Sequence, residues 1–336
     1  VKVEASRGGE VDGRGSGDAP RPKVSVLILA FDHERFIADA IESALAQRTD
    51  FPVEIVIAED CSRDGTRAIV ETFARRHPDR VRPLLRATNL GMMRNFLSAL
   101  AACRGEYIAL LEGDDRWTCE DKLAVQVALL DAHPECSASF HDVEVVDVDG
   151  TAPPRRFHPQ GMPARAQLVD ILRRPNFIST CSTVFRSGAH GVLGDWLYEM
   201  PMGDWPLHVL NARFGPYAYI DRVMGVYNVH AGGIWTSASD VDAQLRWLSA
   251  IERLDAALDR AHTRDLDRLR SHTLLKLARA RLARGELRDA WTSARQAVRR
   301  TPSRLRAWST LLRIAAASLS PKRGNPASAR DSRAAL

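Results

Sequence analysis

The sequence predicts an α/β protein with a mostly parallel central sheet flanked by helices, followed by a small all-α region. Three observations predict it. Short, nearly continuous apolar runs at 24–29, 53–58 and 107–111 read as strands covered on both faces. Stretches with apolar residues at helical spacing separate them, and this alternation implies parallel strands joined by right-handed crossovers. From about residue 240 onward, the apolar residues keep helical spacing alone.

Taken in order, residues 1–22 are rich in Gly, Ser, Pro and charge, and are expected to form a disordered leader. The strand at 24–29 runs into the turn Ala30-Phe31-Asp32-His33. A helix follows, carrying Ile37, Ile41, Ala44 and Leu45. The second strand, 53–58, ends in Glu59-Asp60-Cys61-Ser62-Arg63-Asp64-Gly65-Thr66. Ser62 is expected to cap the helix that holds Ile69, Val70 and Phe73, with Asp64, Gly65 and Thr66 as turn and cap chemistry. A short strand at 81–85, a turn at Asn89-Leu90-Gly91 and a helix over about 92–103 lead to the strand at 107–111. A helix over about 120–132 and a strand-like stretch at 137–140 complete the alternating part. His141 and Asp142 then either line a cleft or form a polar strand end. Pro153-Pro154 and Pro159-Gln160-Gly161 mark irregular chain.

The bulk properties narrow the class. The chain has 336 residues, 45% hydrophobic and 26% charged, as in ordinary globular proteins. No stretch approaches the roughly 20 apolar residues of a membrane span, and no signal-peptide core is expected near residue 1. Five cysteines without a CxxC pair argue for reduced thiols in the cytoplasm and against a zinc site. The net charge of +5 divides into −7 over 1–240 and +12 over 241–336. A basic tail of this kind suits an anionic neighbour, such as an inner-leaflet membrane surface, a charged glycan or nucleic acid, or a protein partner, or is simply an Arg-rich solvated helical surface. No GxGxxG follows the first strand, and there is no Walker A pattern, so neither common nucleotide fingerprint applies.

The chemistry concentrates after the strand at 107–111, where Glu112-Gly113-Asp114-Asp115 follows at once. Side chains just past the carboxyl end of such a strand are where open α/β sheets place their ligands. Adjacent aspartates are hard oxygen donors, suited to Mg²⁺ or Mn²⁺ carrying a diphosphate, though a polar turn capping the next helix would read alike.

Five segments in order, 24–32, 59–66, 89–91, 104–108 and 111–117, resemble those of inverting family 2 glycosyltransferases of the GT-A fold. The resemblance is close over 23–142 and looser over 143–236. It implies a nucleotide-diphospho-sugar transferase fold with a nucleotide-sugar-binding half at 23–142 and an acceptor-binding half at 143–238. It also implies a nucleotide-sugar donor, UDP-linked, a glycan or lipid-linked acceptor, a divalent Mn²⁺ or Mg²⁺ cofactor and no nucleic-acid partner. Asp60 matches the residue that reads the base, with capping of the next helix as its other reading. Ala30 and Phe31 match the nucleotide loop, although Leu29-Ala30-Phe31-Asp32 stands where the family has Pro-Thr-Tyr-Asn. Arg94 matches a basic position facing the aspartates or a phosphate, or is a surface arginine. Asp114 is expected near the ribose and Asp115 at the metal. Asp204, in Met202-Gly203-Asp204-Trp205, matches the general base. His230, in the segment from Tyr227 to Trp235, matches a ligand of the metal or the diphosphate.

Residues 239–319 are expected to be helical. Leu274, Leu277, Ala278, Gly285, Ala290, Ala297 and Pro302 fall at offsets resembling one tetratricopeptide repeat, and Trp308 fits the start of a second. So short a solenoid must pack on something else, and residues 320–336 are expected to be a disordered tail. A non-catalytic nucleotide-binding scaffold that recruits partners through this region is the alternative function. A sugar-phosphate nucleotidyltransferase would require a Gly-rich basic loop after the first strand, which Leu29-Ala30-Phe31-Asp32 is not.

Overall fold

The computed structural model describes residues 21–174, 177–233, 239–302 and 305–319. Most of the expected leader, the whole expected tail and Trp235 therefore lie outside the described residues.

The alternating part runs β1 (Val24–Ala30), α1 (Ile37–Leu45), β2 (Val53–Glu59), α2 (Thr66–Arg76), β3 (Val81–Leu85), α3 (Met92–Ala102) and β4 (Tyr107–Glu112). It continues with β5 (Arg116–Trp117), α4 (Lys122–Ala132), β6 (Ala138–Asp147), β7 (Arg155–Arg156), β8 (Arg165–Ala166), α5 (Leu168–Arg173) and β9 (Val184–Arg186). Helix α6 (Asp204–Ala212) and β10 (Tyr217–Val229) close the sheet, and α7 (Asp240–Ala257), α8 (Thr263–Ala283), α9 (Leu287–Arg300) and α10 (Leu305–Leu319) follow.

One sheet in the order β3-β2-β1-β4-β9-β6-β10-β5 spans the molecule. Strands β3, β2, β1 and β4 are mutually parallel. Strand β9 runs antiparallel to β4 and β6, whereas β10 is parallel to β6. Successive residues of β1 serve opposite faces, as strand geometry requires. Leu27 packs with Phe96 and Leu100 of α3 and Trp205 of α6. Val26 and Ile28 pack with Ile37 and Ile41 of α1, Val70 of α2 and Leu123 of α4. Helices therefore cover both faces, and the carboxyl ends of β1, β2 and β4 open along one rim.

Three details differ from the sequence expectation. Ser62 does not cap α2: Gly65 stands at the cap, Asp64 Oδ1 accepts from the first helical amide, Thr66 N, at 3.0 Å, and Ser62 Oγ accepts from Asp32 N in the facing loop at 3.0 Å. Strand β6 extends through 147, so His141 and Asp142 are buried within the sheet. There Asp142 accepts from the amides of Val143 and His158 and from Arg156, which is a structural role. The long β10 is a strand that the fading alternation after 142 does not announce.

The helical region is joined to the α/β core. Leu254 of α7 and Leu266 and Leu269 of α8 lie in the same apolar cluster as Trp205, and Arg173 of α5 donates to Asp265. Buried Arg270 pairs with buried Asp255 at 3.0 Å, fixing α8 against α7. Alanines 278, 290 and 294 form a close α8–α9 contact capped by Ile314 of α10. Gly285, at φ +78°, makes the left-handed turn that ends α8.

Candidate active site

The rim is built from three loops and one strand end. At the end of β1, Ala30 is buried and its carbonyl accepts from Asp60 N at 3.0 Å, which ties the β1 and β2 loops together. Phe31 is 37% exposed, with the Arg63 guanidinium 5.4 Å from its ring centre. Asp32, at φ +54°, accepts from Arg63 N (2.8 Å) and Nε (2.9 Å), so the two loops are also ion-paired.

Asp60 is buried at the end of β2. One carboxylate oxygen accepts from Leu90 N at 2.8 Å and the other from Gly91 N at 3.0 Å, while Asn89 donates to its carbonyl. Asp60 thus shapes the 89–91 turn rather than capping α2. A carboxylate has about four acceptor sites, so these bonds leave capacity for another donor.

Asp114 and Asp115 point in different directions. Oδ2 of Asp114 lies 3.0 Å from Nε2 of His230 and 3.9 Å from Nε2 of His33. Burial works to raise the Asp114 carboxyl, but the His230 hydrogen bond and the His33 imidazole outweigh it and hold it below its ordinary value. The same hydrogen bond raises His230. Asp115 turns inward and is 1% exposed. Its Oδ1 accepts from Asn228 N at 2.9 Å, and burial followed by the neighbouring Asp114 charge pushes it well above the carboxylate range. Asn228 Nδ2 also donates to Asp114 O at 2.6 Å, so β10 locks the whole turn. The carboxylate facing His230 is thus Asp114, while Asp115, expected at the metal, is buried against Asn228. Gly113 is required here because a Cβ would lie 2.7 Å from both His33 Nδ1 and Leu29 O.

Glu112 and Asp204 complete an acidic cleft. Glu112 is pushed up to about 8, chiefly by burial and then by the charges of Asp114 and Asp204. Asp204 is the first residue of α6; burial raises it, partly offset by the hydrogen bond from Trp205 N at 2.7 Å. Trp205 anchors that helix end, donating to Ile171 O at 3.0 Å and packing 5.3 Å from Trp247. Arg94 is not part of this cluster. It is exposed on α3, its guanidinium 5.1 Å from the ring centre of Tyr198, so the expectation that it holds Asp114 is corrected.

Sequence reasoning missed His33 and Asn228. Asn228 lies on β10, which the sequence does not announce, so its only signal was its nearness to His230. His33 stood in the turn after the first strand without a motif of its own.

Residues 25–193 match the model of Glycosyl transferase family 2. The chain belongs to this family. It is a glycosyltransferase, and its sheet and flanking helices form the GT-A fold. An uncharacterized protein of Mycobacterium tuberculosis is 41% identical over 243 residues, covering 71% of this chain and 69% of that one. The putative teichuronic acid biosynthesis glycosyltransferase TuaG of Bacillus subtilis is 30% identical over 164 residues, covering 49% of this chain and 62% of its own. Among solved structures, a mannosyltransferase from Pyrobaculum calidifontis in complex with GDP-Man and Mn²⁺ superposes with a TM-score of 0.56 at 19% identity, covering 89% of this chain and 81% of that one. For this family 2 glycosyltransferase, the cleft between Asp114 and Asp204 is the candidate active site.

Proposed function

We propose that this glycosyltransferase moves a sugar, with inversion, from a UDP-linked donor to a hydroxyl of a glycan or lipid-linked acceptor. The process is assembly of a cell-surface polysaccharide or glycan, a reading supported by the relative TuaG, named as a putative teichuronic acid biosynthesis glycosyltransferase. One observation carries the reading: Glu112 lies close enough to both Asp114 and Asp204 to feel their charges, and Asp114 is hydrogen-bonded to His230.

A divalent cation fits this cleft only together with its substrate. Among the described residues, no group of three His, Cys, Asp or Glu side chains is placed to hold a metal alone. Asp114 and His230 offer one carboxylate and one imidazole on a shared edge, which suits Mn²⁺ or Mg²⁺ whose other positions go to diphosphate oxygens. Such an ion would stabilise the negative charge of the departing nucleoside diphosphate. Asp114 therefore replaces Asp115 as the proposed metal ligand, and Asp115 becomes the residue that holds Asn228 and the turn.

The remaining steps belong to the chain's own side chains. Phe31 stacks on the base, and Asp60 accepts from its imide N–H. Asp204 takes the proton of the acceptor hydroxyl as that oxygen attacks the anomeric carbon, and the bond to the diphosphate breaks on the opposite face. Raising Asp204 from its ordinary value by burial makes it a better proton acceptor. Helices α8 and α9, antiparallel with alanines between them, support a tetratricopeptide-like reading of 239–319. The cytoplasm, next to the membrane's inner face, is the proposed location. Among the described residues, no helix is long and apolar enough to cross a membrane.

The test is nucleoside diphosphate release from a panel of UDP-sugars by purified protein, with Mn²⁺ or with EDTA. Turnover with one donor that stops in EDTA and in Asp204→Asn supports the proposal. Turnover unaffected by Asp204→Asn would remove the assigned base.

A further inference from the structure

The outward faces of α9 and α10 carry a pattern that sugar transfer does not use. On α10, Leu305 is 84% exposed, Trp308 46% and Leu312 67%, with Arg313 exposed beside them. Leu311 and Ile314 turn inward instead. The spacing 305, 308, 312, 313 places the exposed group on one helix face. On α9 the exposed face carries Trp291, Arg295 and Arg299. Residues 290–319 contain six arginines and no Asp or Glu. Arg300 reaches Asp267, but among the described residues Arg295, Arg299 and Arg313 meet no carboxylate.

We infer that this face docks on a bilayer surface containing anionic lipid. Charge complementarity and the exposed apolar groups point the same way. Large apolar side chains beside uncompensated arginines are how interfacial helices bind, with the apolar stripe in the headgroup boundary and the cations on lipid phosphates. An acidic protein would pair the arginines, yet Leu305 and Leu312 would still need an apolar groove of matching shape. An apolar partner, including a second copy of this face, would bring the arginines together unpaired, and like charges at an interface oppose association. A bilayer interface accepts both kinds of group with no demand on shape. The inference uses none of the cleft carboxylates, so it stands or falls separately from the proposed transfer.

The experiment is flotation of the full chain with phosphatidylcholine vesicles, with and without phosphatidylglycerol. The variants are Leu305→Ser/Leu312→Ser, Arg295→Glu/Arg299→Glu and Asp204→Asn, with circular dichroism and melting confirming that each is folded. The protein is expected to float only with the phosphatidylglycerol vesicles and less so as salt rises. Either surface pair should lower partitioning about tenfold or more, and Asp204→Asn should leave it unchanged. Equal flotation of the folded surface variants overturns the inference, as does absence of flotation in the parent protein. A dimer detected by light scattering and lost in Leu305→Ser/Leu312→Ser also overturns it, because a second copy would then cover the face.

Discussion

Nε2 of His230, at the end of β10, lies 3.0 Å from Oδ2 of Asp114, at the end of β4. The contact joins the loop after a central strand to the last strand of the sheet. It leaves Asp114 half-buried at the rim of the sheet, with Asp115 in the interior.

The two aspartates should therefore separate by assay. Asp114→Ala is expected to fold with nearly unchanged melting and to lose metal-dependent nucleotide binding. Asp115→Ala strands the buried Asn228 N–H and should cost roughly 1–3 kcal/mol of stability. Asp115→Asn keeps an oxygen for that donor and should recover most of it. Denaturant melts beside nucleotide titrations check this; equal stability losses at both positions would contradict it.

Asp204→Asn retains the oxygen that accepts from Trp205 N, so α6 should start as before. Turnover is expected to fall about 10²–10⁴-fold with little change in KM. In the parent protein the base works when deprotonated and burial raises it, so activity should climb with pH through a limb lying above the ordinary value of an aspartate. Rate–pH profiles of parent and variant test this, and that limb should be missing from the variant's residual rate.

Glu112 gives a stability prediction of definite sign. Its folded-state value of about 8 exceeds the ordinary 4.5, so the folded form holds a proton that the unfolded form has released between those pH values. This contribution is full below about pH 4.5 and is lost as pH rises through about 8. Glu112→Gln removes the dependence. Without metal, the variant should gain stability relative to the parent as pH climbs from 5 to 9, read as the difference in urea midpoint. A constant difference across that range would contradict the assignment.

Arg270→Ala leaves Asp255 buried without its cation and should cost about 3–5 kcal/mol in α7–α8 packing. The effect belongs to the fold and not to the cleft. Nucleotide binding by the folded fraction should be unchanged when melting and titration are compared.

Legibility in the sequence followed locality. The strands ending at Ala30, Glu59 and Glu112 were readable because both faces are covered and their residues are nearly all apolar. Strand β10 was not. Its middle, Asp221 and Arg222, is exposed, and its pairing with β6 shifts between Ile220 and Val223. The carboxylates of the cleft were all readable as candidates, since each sits at a strand end or helix start. Which of two adjacent aspartates turns inward was not readable, because the residue it bonds, Asn228, lies 113 positions away. The two readings of Arg94 could not be separated for the same reason: its neighbour Tyr198 lies on a segment distant in sequence.

The most direct test of the central claim is calorimetric titration of the protein with UDP, GDP and dTDP, each with Mn²⁺ and with EDTA, alongside Asp114→Ala. The account predicts that UDP binds in the presence of Mn²⁺, and that the heat disappears both in EDTA and in the variant. Absence of binding to all three nucleotides by folded protein, or binding indifferent to EDTA and to Asp114→Ala, would contradict it.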